Sequence, residues 1–212
     1  MQMQVTKDKI DFYTNFYRCS NSTWDVSIEG FHKGIKLFKG LVKMVIIDRK
    51  TRRCKPVPKH LKEHINTLNT HMSGDKITFN EIKKKASQKS FIMELLVPFS
   101  SGDSNNHIGH QEFLKFTHNC GAVASVSQYY RNFEGDLANY KLLHVDGWFK
   151  KEIAVNEKIT IETWEAKDSS KDSALKLHFI IRKMNQEVSA YVTMIFSPLR
   201  VNLADRLDFP DL

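Results

Sequence analysis

The sequence predicts an α+β chain: antiparallel strands arranged about one long helix. Three observations carry this. Several stretches alternate apolar and polar residues at period two, as half-buried strands do. One stretch, Gln111–Arg131, instead places Phe113, Phe116, Cys120, Val123, Val126 and Tyr130 three or four apart, which is the period of a helix with one apolar face. Strand-like runs on both sides of that helix are separated by short turn signals rather than by further helices.

In chain order, the aromatic-rich run over residues 9–20 reads as a strand that stops at Ser20-Asn21-Ser22. Thr23–His32 alternates, Lys33-Gly34 turns the chain, and Ile35–Asp48 reads as a third strand, completing an antiparallel meander. From Arg49 the composition changes: Pro56 and Pro58 punctuate, His60–Leu68 can form a short helix, and Ser73-Gly74-Asp75 breaks the chain again. This region is expected to connect two structured parts.

Phe91–Phe99 is an apolar run, followed by the polar stretch Gly102–His110 and then the helix, in which Gly121 allows close packing on a sheet. Lys141–Val155, Lys158–Lys167, Ala174–Arg182 and Val188–Ser197 follow as four strands. Lys9-Ile-Asp-Phe-Tyr-Thr also stands 149 residues before Lys158-Ile-Thr-Ile-Glu-Thr, each opening a three-strand meander. The expected organisation is an incomplete first repeat over 1–58, a connector over 59–90 and a complete second repeat over 91–212.

At 212 residues, 41% hydrophobic and 26% charged, the chain has the proportions of a globular protein. It has no apolar run of the roughly 18 residues a membrane span needs, and its first residues lack a signal-peptide core. Three scattered cysteines without a Cys-x-x-Cys pair read as reduced thiols, so an intracellular protein is expected, cytoplasmic by default with an organelle left open. The net charge of +8 favours polyanionic partners. The basic clusters lack the interleaved aromatics of a single-strand binder, which turns the reading away from nucleic acid.

Gly102–His110 is where chemistry-bearing residues concentrate. Asp103, Asn105 and His107 stand at alternate positions, so an extended loop would present them on one side, just before a helix N-terminus with free amides. Asx and Ser residues in that place also serve as helix caps, and the residues themselves admit both roles. His60, His64 and His71 have loose metal-ligand spacing without Cys or carboxylate partners, and read as surface residues. Cys120 lies on the apolar helix face as an inert thiol, a Gly-x-Ser-x-Gly nucleophile motif is lacking, and Trp24, Trp148 and Trp164 read as sheet-packing residues.

The stretch Asp103-Ser-Asn105-Asn-His107-Ile-Gly-His-Gln-Glu-Phe113-Leu-Lys-Phe116 resembles the Asp-x-Asn-x-His-Val-Asn-Asn-x-x-Tyr-x-x-Trp signature of acyl-carrier-protein thioesterases and related acyl-CoA thioesterases. Trp148–Glu162 is similar to that family's strand pair joined by a tight turn, and Val45–Pro58 resembles the end of the first hotdog unit in tandem members. The sequence departs from the signature at Gly109 and His110, at Phe113 and Phe116, and at Asn119, where plant members carry a helix glutamate.

The resemblance implies a hotdog fold in two repeats, the first incomplete, and hydrolysis of acyl-CoA or acyl-carrier-protein thioesters to a free acid. It implies Asp103 as base or nucleophile and Asn105 and His107 as orienting and proton-sharing groups, while the free N–H groups of a helix N-terminus make the amides of Gly109, His110 and Gln111 natural oxyanion donors. It places the acyl chain between helix and sheet, with Phe113, Phe116, Cys120 and Val123 as candidate walls that are equally well ordinary core. No cofactor is expected beyond the coenzyme A or phosphopantetheine of the substrate, and pairing of two units is expected, within the chain or as a homodimer. A dehydratase or hydratase and a non-catalytic acyl-binding module are the other readings.

Overall fold

A computed structural model describes residues 9–48, 50–51, 53–68, 81–85, 88–169 and 174–200. The chain divides into two compact units, over residues 1–79 and 80–211.

The first unit is the expected meander: β1 (Asp11–Cys19), β2 (Thr23–His32) and β3 (Ile35–Val45) form an antiparallel sheet in that order. The β2–β3 hairpin closes at Lys33 (φ 49°) and Gly34 (φ 80°), the left-handed pair that suits the twist of a two-residue turn. The register places Phe12, Gly30 and Phe38 side by side, then Phe16, Val26 and Val42, then Cys19, Trp24 and Met44, so one face is largely apolar. On the other face Lys43 pairs with buried Asp25, and Lys36 and Lys39 with Glu29. Helix α1 (Lys59–Leu68) buries Ile65 and packs along β1.

The second unit is a five-stranded antiparallel sheet of β4 (Phe91–Leu96), β5 (Tyr140–Phe149), β6 (Lys158–Glu165), β7 (Leu175–Lys183) and β8 (Val188–Arg200), in the order β4-β6-β7-β8-β5. Helix α2 (His110–Val126) lies between β4 and β5 in sequence, as expected for a strand, a helix and four strands. Its buried face, Phe113, Phe116, Thr117, Cys120, Gly121 and Ala124, repeats at the helical period. Phe113, Phe116, Cys120 and Ala124 join Ile159, Ile161, Leu177, Phe179, Ile181, Val192, Met194 and Phe196 in one core. A Cβ at Gly121 would stand 2.9 Å from Leu137 and 3.1 Å from Phe179, so glycine permits the close approach.

Several boundaries differ from expectation: β3 ends at Val45 rather than Asp48, and β8 reaches Arg200 rather than Ser197. β4 ends at Leu96, because Val97 turns to bond residues 156 and 157. α2 ends at Val126, because Gln128 (φ 58°) leaves the helical conformation; Tyr130 is still buried, with its hydroxyl 2.7 Å from Thr163 Oγ1. β5 ends at Phe149 rather than Val155, and residues beyond it pair with the loop ahead of α2.

The opposite face of this sheet carries a second cluster of Trp164, Ile180 and Tyr191 with Ile82 packed on it. Glu162 there accepts from Lys84 (2.5 Å), Ser90 (2.9 Å) and Arg182 (2.8 Å), which fastens the segment before β4 to the sheet. Burial pushes its carboxyl up, but the hydrogen bonds from Lys84, Ser90 and Arg182 together outweigh it and hold the group below the usual carboxylate range.

Candidate active site

The loop Gly102–Gly109 closes on itself. Gly102 and Ile108 form a bridge, the Asp103 amide donates to the His107 carbonyl (2.8 Å), and the Asn106 amide donates to the Asp103 carbonyl (3.0 Å). Asn106 (φ 58°) supplies the left-handed residue that such a turn needs. A Cβ at Gly102 would fall 2.6 Å from Val155, so the loop packs against residue 155 only because position 102 has no side chain.

Asp103 is exposed, and its Oδ1 accepts the amides of Asn105 (2.7 Å) and His107 (3.2 Å). These backbone bonds, the Asn105 amide first, hold its carboxyl below the ordinary range. The carboxylate thus satisfies amides of its own loop and does not cap α2.

His107 is half-buried, and its Nε2 lies 3.7 Å from Glu152 Oε2. The backbone explains the encounter. Ala154 bridges to His107, the Ile108 amide donates to the Ile153 carbonyl (3.0 Å), and the Val155 amide donates to the Asn106 carbonyl (3.0 Å). The strand exit after β5 is therefore laid alongside the loop, and Glu152 is carried to the imidazole. Sequence reasoning missed Glu152. It looked for a carboxylate on the helix, where Asn119 stands, although Glu152 lies inside the Trp148–Glu162 stretch that resembles the thioesterases.

Gly109 is the N-cap of α2, in an extended conformation and without a side-chain cap hydrogen bond. The amides of His110 and Gln111 thus sit in the first turn, where backbone N–H groups have no partner within the helix, at the positive end of its dipole. Glu112 in the same turn is buried and takes Lys115 Nζ at 2.6 Å, which lowers its pKa. The His110 ring rests on Phe149, with centroids 4.5 Å apart.

A cleft of about 390 Å³ runs beside α2, lined by Leu114, Lys115, His118, Asn119, Leu142, Val145 and Met194. Leu114 and His118 continue the stripe begun by His110 at intervals of four. Across from them, Phe149, Gly147 and Val145 share one face of β5 by alternation. Gly147 sits under the Phe149 ring, which a Cβ there would meet at 3.0 Å.

The residues expected as acyl-chain walls do not line this cleft. Phe113, Phe116 and Cys120 belong to the core, and Val123 is 48% exposed. Burial pushes the Cys120 thiol up to about 12, and its Sγ lies 3.6 Å from the Ile161 carbonyl. His60 and His64 ride on α1, while His71 lies outside the described residues. Among the described residues no three His, Cys, Asp or Glu side chains group as a metal site. No helix among them is long and apolar enough to cross a membrane.

No protein-family model matches the chain, and no curated protein matches it in sequence. Solved structures do match its shape. A protein described as an oleoyl thioesterase from Lactobacillus plantarum superposes with a TM-score of 0.72 at 13% identity, covering 92% of this chain and 70% of that one. The 12:0-ACP thioesterase from Umbellularia californica gives 0.70 at 13% identity over 91% and 67% of the two chains. An acyl-ACP thioesterase from Bacteroides thetaiotaomicron gives 0.64 at 13% identity over 90% and 69%. The chain therefore has the fold of the acyl thioesterases, the proteins whose signature Asp103–Phe116 resembles.

Proposed function

We propose that this protein hydrolyses acyl thioesters, releasing a carboxylic acid from acyl-CoA or an acyl carrier protein. The observation that carries the proposal is the His107 imidazole facing the Glu152 carboxylate at 3.7 Å, beside the uncapped N-terminus of the helix that lines the cleft. The likeness in fold to thioesterases supports it.

In this mechanism His107, oriented by Glu152, takes a proton from water as the water oxygen attacks the thioester carbonyl carbon. The amides of His110 and Gln111 receive the resulting oxyanion, with Gly109 shaping the approach. Collapse breaks the carbon–sulfur bond, and the leaving thiolate takes from the imidazolium the proton that water gave up. Asn105 orients the water or the carbonyl. Asp103 stays ionised and shapes the loop; the two amides on its Oδ1 favour that role over direct attack. The acyl tail lies in the cleft along Leu114 and His118 on one side and Leu142 and Val145 on the other, rather than among the core side chains.

The net charge of +8 suits the phosphates of coenzyme A or an acidic carrier surface, and no separate cofactor enters. We read residues 1–58 as a partial first repeat, 59–90 as connector and 91–212 as the catalytic repeat. β5 is an edge strand, and a second unit, from the chain itself or from another copy, would complete the cleft there. A reducing intracellular compartment fits the free thiols.

The test is thiol release from panels of acyl-CoA and acyl-carrier-protein substrates, with light scattering for the assembly. Turnover that disappears in His107→Ala and falls sharply in Glu152→Gln is expected. Binding of every thioester without turnover would overturn the proposal.

A further inference from the structure

Residues 153–157 form a turn, with Asn156 at φ 60°, lying between two partners. On one side it holds the reactive loop through the His107–Ala154 bridge and the bonds from Ile108 to Ile153 and from Val155 to Asn106. On the other it holds the end of β4, since the Val97 amide donates to the Glu157 carbonyl (3.0 Å) and the Asn156 amide to the Val97 carbonyl (3.0 Å). Closure of the turn falls to one residue. The Glu157 amide reaches the Ala154 carbonyl at a long 3.3 Å, while Glu157 Oε2 accepts the Ala154 amide at 3.0 Å. Lys183, the last residue of β7 and register partner of Ile159, donates to Glu157 at 3.2 Å.

We propose that Glu157, braced by Lys183, is the positioning residue that holds Glu152 against His107. This rests on the hydrolase reading above. The contacts run from the core sheet through Lys183 to the Glu157 carboxylate and on to Ala154, which pairs with His107 and stands two residues from Glu152. A charged acceptor makes the stronger hydrogen bond. Without it the part-buried Ala154 amide loses that acceptor, and the turn is free to shift against β6. His107 and Glu152 already stand at 3.7 Å, so a displacement of about 1 Å separates them and is the kind of misplacement that costs an enzyme about a hundredfold. Glu157 touches none of the reacting groups in this scheme.

The experiment compares wild type, Glu157→Ala, Glu157→Gln and Lys183→Met on the acyl thioester that wild type turns over fastest. It is combined with amide hydrogen exchange over residues 153–155. Glu157→Ala should lower kcat about tenfold or more with KM changed less than about twofold. Glu157→Gln keeps an oxygen acceptor and should return kcat to within about threefold of wild type. Lys183→Met should fall between them, and exchange at Ala154 should quicken in Glu157→Ala and not in Glu157→Gln.

An unchanged kcat in Glu157→Ala, equal losses in the Ala and Gln variants, or unaltered exchange at Ala154 would overturn the assignment. If Glu157→Ala does not fold, the Gln and Lys183→Met variants decide it by the same readouts. A wild type that turns over no thioester sinks the hydrolase reading, while the exchange data still decide whether Glu157 holds the turn.

Discussion

On the three-stranded sheet, Phe12, Phe38, Val42 and Met44 share one face, and their exposures run from 37% to 63%. On the five-stranded sheet, Ile161, Phe179, Val192 and Met194 hold comparable places on the neighbouring strands β6, β7 and β8 and are at most 2% exposed, with α2 seated on them. Strand alternation is equally clear in both. The difference is how far a helix covers the face: α2 seals its side of the second sheet, whereas α1, packed along β1, leaves these four exposed, so period-two patterning specifies a strand and its face but not whether that face becomes a core. A fully buried aliphatic or aromatic side chain contributes about 1.5–3 kcal/mol relative to an exposed one, so the second sheet gains from each such residue what the first leaves unrealised.

Four experiments bear on this contrast. The largest effect belongs to the second unit alone: His107→Ala should reduce hydrolysis by about 10²–10⁴-fold, while Phe38→Lys on the first sheet leaves kcat within about twofold, as measured by thiol release. Equal losses would mean that the first sheet takes part in the chemistry.

Next comes stability. Phe179→Ala should cost about 3–5 kcal/mol in urea unfolding, and Phe12→Ala less than about 1 kcal/mol. A large loss from Phe12→Ala would show that its face is covered in solution.

Third, Glu162→Gln should cost about 1–3 kcal/mol, since it weakens the ion pairs to Lys84 and Arg182. The pH dependence follows from the lowered pKa of Glu162. Its stabilisation is present above its unfolded value of about 4.5 and is lost as pH falls through the lower folded value, so wild type should lose more stability on acidification than the Gln variant does. The smallest effect is a drop in binding of an apolar dye in Val42→Lys with no change in turnover; undiminished dye binding would place the exposed apolar surface elsewhere.

Much of the second unit was legible because its signals are local. The three- and four-residue spacing from Phe113 to Val126 gave α2, and the Lys33-Gly34 turn gave the hairpin of the first sheet. Tyr130 extended the periodic pattern past the helix, because a buried aromatic looks the same whether a helix or a loop delivers it; the left-handed Gln128 ends the helix first.

At the site, the Asp103–His107 loop stood out as a cluster of polar residues, whereas Glu152 did not. It lies 45 residues beyond His107 and is brought there by backbone pairing of a strand exit, for which no short-range pattern exists. The position of the candidate wall residues has a related reason. Helical spacing groups Phe113, Phe116 and Cys120 on one face, but that face meets the sheet, and the cleft takes the neighbouring stripe of Leu114 and His118.

The buried thiol of Cys120 has a practical consequence. With its pKa pushed up to about 12 and its sulfur sealed in the core, it holds almost no thiolate near neutrality and is closed to alkylating and disulfide reagents. Only exposed Cys54 and half-buried Cys19 are left to react, so replacing those two with serine gives a protein silent to thiol reagents without disturbing the core. Adding one cysteine back at a chosen surface position then provides a single attachment point for a fluorophore, suited to testing whether an acyl carrier protein docks.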